Sequence, residues 1–113
     1  MDPVPGFDPQ LLKGTTSLLI LAVIDDGEVY GYEIVQRLRE RSAGEFEPSE
    51  GSLYPTLHRL ELEGALTATW RASDRGPRRR YYRLTPKGTG LLAESRAQWG
   101  AFVAAVDRVA VPG

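Results

Sequence analysis

Residues Glu50 to Gly64 read EGSLYPTLHRLELEG. Leu53, Leu57 and Leu60 fall at i, i+4 and i+7, the spacing of one buried helical stripe. Ser49 is a good N-cap and Gly64 a good stop, so the spacing predicts a helix from Glu50 to about Glu63. Gly51, Ser52, Pro55, His58 and Arg59 lie on the opposite face. Pro55 sits in the second turn, early enough that little of the hydrogen-bond ladder is lost. A hydroxyl, an imidazole and a guanidinium on one outer face suit a helix that reads a polyanion; a solvated helix face with an odd proline is the competing reading.

The flanking sequence supplies the rest of a small domain. Asp8-Pro9 reads as cap and first residue of a helix running to about Asp26, with Gly27 in the stop position. Residues 1–7 hold prolines and a glycine and read as a mobile arm. A second helix spans about Gly31 to Arg41, burying Ile34, Val35 and Leu38, and Ala43-Gly44 breaks it. After Gly64 the period changes to two. Leu66, Ala68 and Trp70 alternate with Thr67, Thr69 and Arg71, ASDRGP makes a turn, and RRYYRLT is a returning strand with Tyr82 and Leu84 inward. Thr85-Pro86 opens a last helix to about Val109.

Helix, helix, helix, hairpin, long helix is the order of a winged helix-turn-helix, mainly α with a small β-hairpin, whose third helix enters the major groove. Backbone amides at that helix start and Gly51 suit a phosphate, Ser52 and His58 phosphates or bases, and Arg59 phosphate or guanine. Tyr54 borders the leucine stripe, where it either packs or touches DNA. The hairpin carries Arg71, Arg75, Arg78, Arg79, Arg80 and Arg83 against one acid, Asp74. Such a cluster suits the sugar-phosphate backbone or a minor groove, with a solvated charge run as the competing reading.

The whole chain has 113 residues and a formal charge of -1, so any affinity for nucleic acid is local. It contains no cysteine, which removes disulfides and thiolate metal sites and fits a reducing, cytoplasmic compartment. The apolar run Leu18 to Ile24 is too short for a membrane span, and MDPVPGFDP has no basic n-region of a secretion signal. The one histidine lies on the reading face, no triad or metal spacing occurs, and PKGTG lacks P-loop spacing, so no enzyme, catalytic residue or cofactor is expected.

YGYEIVQRL (Tyr30 to Leu38), GSLYPTLHRLELEG (Gly51 to Gly64) and GPRRRYYRLTPKG (Gly76 to Gly88) together resemble the PadR family of transcriptional regulators, over roughly residues 11 to 110. The resemblance implies a repressor of the short class that dimerises through a single C-terminal helix. It implies a division into arm (1–7), winged helix-turn-helix (8–85) and dimerisation helix (86–113). Together with the residue-level reading, it gives a DNA face of Ser49, Gly51, Ser52, Tyr54, Pro55, His58 and Arg59 with Arg75, Arg78, Arg79 and Arg80 of the wing.

Leu91, Leu92, Ser95, Trp99, Phe102, Val103 and Val106 make an apolar stripe about five turns long, more than one small core covers. A homodimer seam is expected there, with Leu92, Trp99, Phe102, Val103 and Val106 in it. In some short PadR-like proteins that seam holds planar hydrophobic ligands against aromatic rings. Trp99 and Phe102 are the matching pair here, with ordinary seam packing as the competing role. The partners expected are a pseudo-palindromic double-stranded operator, a second copy and a small hydrophobic effector, with no membrane. Two other classes stay open. One is a protein-interaction module on the same fold that does not bind DNA, favoured by the acidic balance. The other is an architectural DNA binder, disfavoured because the chain is not basic.

Overall fold

The computed structural model describes residues 14–25 and 27–113. The expected arm and the cap at Asp8-Pro9 lie outside these residues. The elements are α1 (Thr16–Ile24), β1 (Val29–Tyr30), α2 (Gly31–Arg41), α3 (Glu50–Leu62), β2 (Leu66–Arg71), β3 (Arg79–Leu84) and α4 (Pro86–Ala110). The architecture is a winged helix-turn-helix with a long last helix, as the sequence indicates.

Two details differ from the expectation. Gly14 has φ +88°, outside the helical region, so the helix expected from Pro9 to Asp26 does not run through it. A third strand, β1, was not anticipated; two residues are too few to show a period of two. It pairs antiparallel with β3, placing Val29 opposite Tyr82 and Tyr30 opposite Tyr81. The sheet order is β1-β3-β2.

α1 is apolar on all sides and occupies the centre, with Ile20, Leu21, Val23 and Ile24 buried. Arg37 and Arg41 of α2 donate to its last carbonyls, Arg37 Nη1 to Val23 O at 2.8 Å and Arg41 Nη1 to Ala22 O at 3.3 Å. Cations thus satisfy carbonyls that a helix end leaves unpaired. Ser42 closes α2: its Oγ donates to Leu38 O (2.6 Å) and accepts from Phe46 N (2.9 Å). Ala43 and Gly44 then take positive φ, turning the chain into α3.

α3 buries Leu53, Leu57 and Leu60, as their spacing requires. It ends in a Schellman motif, with Ala65 N bonded to Leu60 O and Gly64 N to Glu61 O. Gly64, at φ +82°, supplies the left-handed residue that this motif needs. The start of α4 grips the same end: Thr85 Oγ1 donates to Gly64 O and Lys87 Nζ to Glu63 O, both at 2.6 Å. Gly88 lies so close to Ala65 that a Cβ there would collide with the Ala65 carbonyl oxygen.

The core joins α1, Val29, Ile34, Leu38, the α3 leucines, Ala65, Leu66, Tyr82 and Leu92. Leu92 therefore corrects the expectation that placed it in a dimer seam. At 1% exposure it is consumed by the core of its own chain.

Candidate nucleic-acid interface

Ser49 caps α3 in extended geometry, its Oγ accepting from Ser52 N at 3.3 Å while Ser52 Oγ donates to Ser49 O at 3.1 Å. From this start Gly51, Ser52, Pro55, His58 and Arg59 are all exposed, and they form one continuous face opposite the leucines. Nothing but Ser49 Oγ approaches the Cβ position of Gly51. A phosphate could come close to the backbone there.

Tyr54 packs against α2 and stays partly accessible. Its ring and hydroxyl lie over Gly31 at the start of α2, where any side chain would collide with them. It nevertheless remains 43% exposed. Gly31 is thus fixed by α2–α3 packing.

Arg59 is held differently from the other residues of its face. Its Nη2 donates to Ser17 Oγ at 2.6 Å and its Nη1 pairs with Glu63 at 3.1 Å. Contact with a guanine would require it to leave both partners. Both are on exposed groups, so the cost of leaving is small.

The hairpin has two chemically distinct faces, set by its register. Leu66↔Leu84, Ala68↔Tyr82 and Trp70↔Arg80 share the inner face, and Thr67↔Arg83, Thr69↔Tyr81 and Arg71↔Arg79 the outer one. The six arginines divide by their partners rather than by face. Arg71 and Arg83 reach Glu28, at 2.7 and 4.0 Å, and Arg80 reaches Glu61 at 2.7 Å. Among the described residues Arg75, Arg78 and Arg79 have no acidic partner, and all three are exposed.

Rings hold two of these three. Arg79 lies 4.5 Å from the centroid of Tyr30 and Arg78 5.8 Å from that of Trp70. A cation–π contact orients a guanidinium without neutralising it. The charges therefore stay available to phosphates. At the wing tip, Ser73 Oγ lies within hydrogen-bonding distance of Arg75 O, Gly76 O and Pro77 O, folding the loop on itself.

α3 and the wing meet at Tyr54. A groove of about 390 Å³ is lined by Tyr30, Gly31, Tyr54, Trp70, Tyr82 and Arg78 to Arg80. Burial pushes the Tyr82 phenol above its ordinary value, with the Arg80 guanidinium pulling the other way. Sequence reasoning did not assign Tyr30 or Trp70 to this surface. Trp70 was legible in principle, since fixing the hairpin register puts it opposite Arg80. Tyr30 was not, because its place depends on β1. Of the acids at this helix, Glu61 and Glu63 are paired with Arg80 and Arg59, and Glu50 is exposed at the helix start.

A second, separate surface lies on α4. Trp99 and Phe102 have ring centroids 6.2 Å apart and are 45% and 60% exposed. With Gly14, Thr15, Ser17, Leu18, Ser95 and Gln98 they line a cleft of about 460 Å³ between α1 and α4. Among the described residues no helix is long and apolar enough to cross a membrane, and no cluster of His, Cys, Asp or Glu could hold a metal.

Comparison with known proteins agrees with this geometry. The model of the transcriptional regulator PadR-like family matches residues 20–94. The transcriptional regulator Rv3488 of Mycobacterium tuberculosis is 42% identical over 84 residues, covering 74% of this chain and 75% of that protein. A PadR-like transcriptional regulator of Bacillus cereus superposes with a TM-score of 0.77 at 38% identity, covering 92% of this chain and 99% of that one. A transcriptional regulator of Clostridium thermocellum gives a TM-score of 0.82 at 26% identity, covering 89% and 98%. With the fold, the exposed α3 face and the family model in agreement, the chain belongs to the PadR-like family of transcriptional regulators.

Proposed function

We propose that this DNA-binding regulator is a homodimeric repressor that holds a pseudo-palindromic operator between two copies of the surface made by α3 and the wing. The observation that carries the reading is an exposed α3 face on the same domain as a wing whose Arg75, Arg78 and Arg79 have no acidic partner among the described residues, with Tyr54 of α3 sharing one groove with Arg78 and Arg79. Ser49, Gly51, Ser52, Tyr54, Pro55 and His58 would meet the major groove, with Arg59 joining them once released from Ser17 and Glu63. Arg75, Arg78 and Arg79 would meet phosphates and set most of the salt-dependent affinity.

The second copy is proposed to cover the distal part of α4. Trp99, Phe102 and Val106 are large apolar groups that the described residues leave exposed. Val103, partly covered, borders them. A planar hydrophobic effector seated at the Trp99–Phe102 cleft would bind between the halves of the dimer and shift the spacing of the two reading helices. This is the proposed route to relief of repression. A regulator acting on DNA in this way works in the cytoplasm.

The test is the salt dependence of binding to the DNA upstream of the protein's own gene. Replacing Arg78 and Arg79 together by Ala should weaken binding on every sequence and flatten the slope of log K against log salt by roughly 0.9 per lost phosphate contact. An unchanged slope would remove the wing from the interface.

A further inference from the structure

Arg80 stands apart from its two neighbours. It leaves β3 on the inner face, opposite Trp70, in the second-last cross-strand pair before the wing loop. Its Nη2 donates to Glu61 Oε2 of the last turn of α3 at 2.7 Å. The two side chains are only 34% and 26% exposed. Arg80 Nε and Glu61 Oε1 are both buried and make no hydrogen bond. These are the atoms that would complete a side-on, bidentate fork. The stem and guanidinium of Arg80 lie against the rings of Trp70 and Tyr82, at 5.8 and 5.6 Å from their centroids.

The position of this pair in the hairpin matters. β2 leaves α3 at its base, where Leu66 faces Leu84. Arg80 ties the hairpin back to α3 four residues further out, about 13 Å along the strand. β1 braces β3 as far as Tyr81; beyond that point the ribbon of β2 and β3 is free to twist and bend unless another contact holds it. Held also near its tip, it presents Arg78 and Arg79 at a fixed offset from the α3 face. A duplex must meet both surfaces at once, so holding that offset before binding lowers the ordering cost.

We infer that Glu61 and Arg80 form a strut that sets the wing against the reading helix, and that Arg80 is a positioning residue rather than a phosphate contact. The inference rests on the reading of α3 and the wing as one DNA-binding surface, and it makes a prediction of unusual sign. Glu61 is an acid beside a surface that binds a polyanion. On electrostatics alone its removal tightens binding, both by deleting a negative charge and by releasing Arg80. A strut requires the opposite.

The variants are Glu61→Ala, which keeps a strong helix former in α3, and Arg80→Met, which keeps the apolar stem against Trp70. Each is compared with the native chain for binding to the upstream duplex across a salt series. Hydrogen exchange of the Thr69 and Tyr81 amides, which the register places in a hydrogen-bonded pair next to Trp70 and Arg80, is followed in the free proteins, with thermal melting as the check on folding. Glu61→Ala should weaken binding roughly fivefold and speed exchange at the wing tip by a similar factor, as loss of one partly exposed ion pair would do. Arg80→Met should weaken binding with the salt slope unchanged. Tighter or equal binding by Glu61→Ala overturns the inference. So does a slope flattened by roughly 0.9 in Arg80→Met, because that marks a phosphate contact. If the native chain binds no duplex, the proposed function fails instead. The exchange rates of the free proteins then decide the strut alone, unchanged wing-tip exchange in Glu61→Ala being the result against it.

Discussion

The first two turns of α4 and its distal turns differ in what covers them. Near its start, Gly88 touches the Ala65 backbone, Leu92 is 1% exposed and Leu91 packs on the core. Further along, Trp99, Phe102, Val106 and Val109 are 45%, 60%, 42% and 90% exposed. The helix is continuous from Pro86 to Ala110 and apolar on the same side throughout. One stripe therefore serves two purposes: its beginning completes the winged-helix core and its remainder faces outward. The family model stops at residue 94, close to the point where burial stops. A boundary at residue 86, drawn where the helix begins, cuts through the core; the change in packing comes about two turns later.

That contrast can be broken most forcefully at its outward end. Trp99→Glu places a charge in the proposed dimer seam and should cost association about 2–4 kcal/mol, the range of a hot-spot aromatic. In sedimentation the native chain should run as a dimer at micromolar concentration and the variant as a monomer or an aggregate. A native chain that sediments as a stable monomer would remove the reason for the stripe.

Two glycines sharpen the inward end. A glycine within a helix ordinarily gains up to about 1 kcal/mol on replacement by alanine. Gly90 has nothing within 4 Å of its Cβ position, so Gly90→Ala should follow that rule. At Gly88 the added methyl meets the Ala65 carbonyl oxygen, so Gly88→Ala should reverse the sign and cost about 1–3 kcal/mol through forced displacement of α4. Equal effects in denaturant titrations of the two variants would mean that the junction of α3 and α4 is not tightly packed.

The smallest expected effect lies at the base of the wing. Tyr82 holds its proton above the ordinary phenol value of 10.0 because it is buried. Above pH 10 the unfolded chain gives up that proton while the folded chain keeps it, so stability is fully present below pH 10 and falls as pH rises. Tyr82→Phe should lack this contribution to the alkaline slope, which is at most about 1.4 kcal/mol per pH unit. Parallel stability curves for the two proteins between pH 9 and 11 would contradict the buried phenol.

Much of this was legible in the sequence because it follows from local rules. The spacing of Leu53, Leu57 and Leu60, the caps at Ser49 and Thr85 and the stop at Gly64 each have one physical solution, and the structure contains it. What escaped depends on contacts between distant segments. β1 exists only because β3 offers Tyr30 and Val29 a partner. Leu92 belongs to the core because α4 lies on Ala65, which its periodicity does not reveal. The run Arg78-Arg79-Arg80 looks uniform in sequence. Alternation along β3 separates it, sending Arg79 outward over Tyr30 and Arg80 inward to Glu61, a partner 19 residues away.

The central claim is that one end of the molecule reads DNA while the other pairs two copies for that purpose. It is tested most directly by titrating a duplex from upstream of the protein's own gene, and a scrambled duplex of equal length and composition, at physiological salt with the bound mass measured. The account predicts two chains per duplex, with a preference for the upstream sequence of about 10³ or more, on half-sites roughly 34–36 Å apart or a multiple of that. Equal affinity for both duplexes, or one chain bound per duplex at saturation, would contradict it.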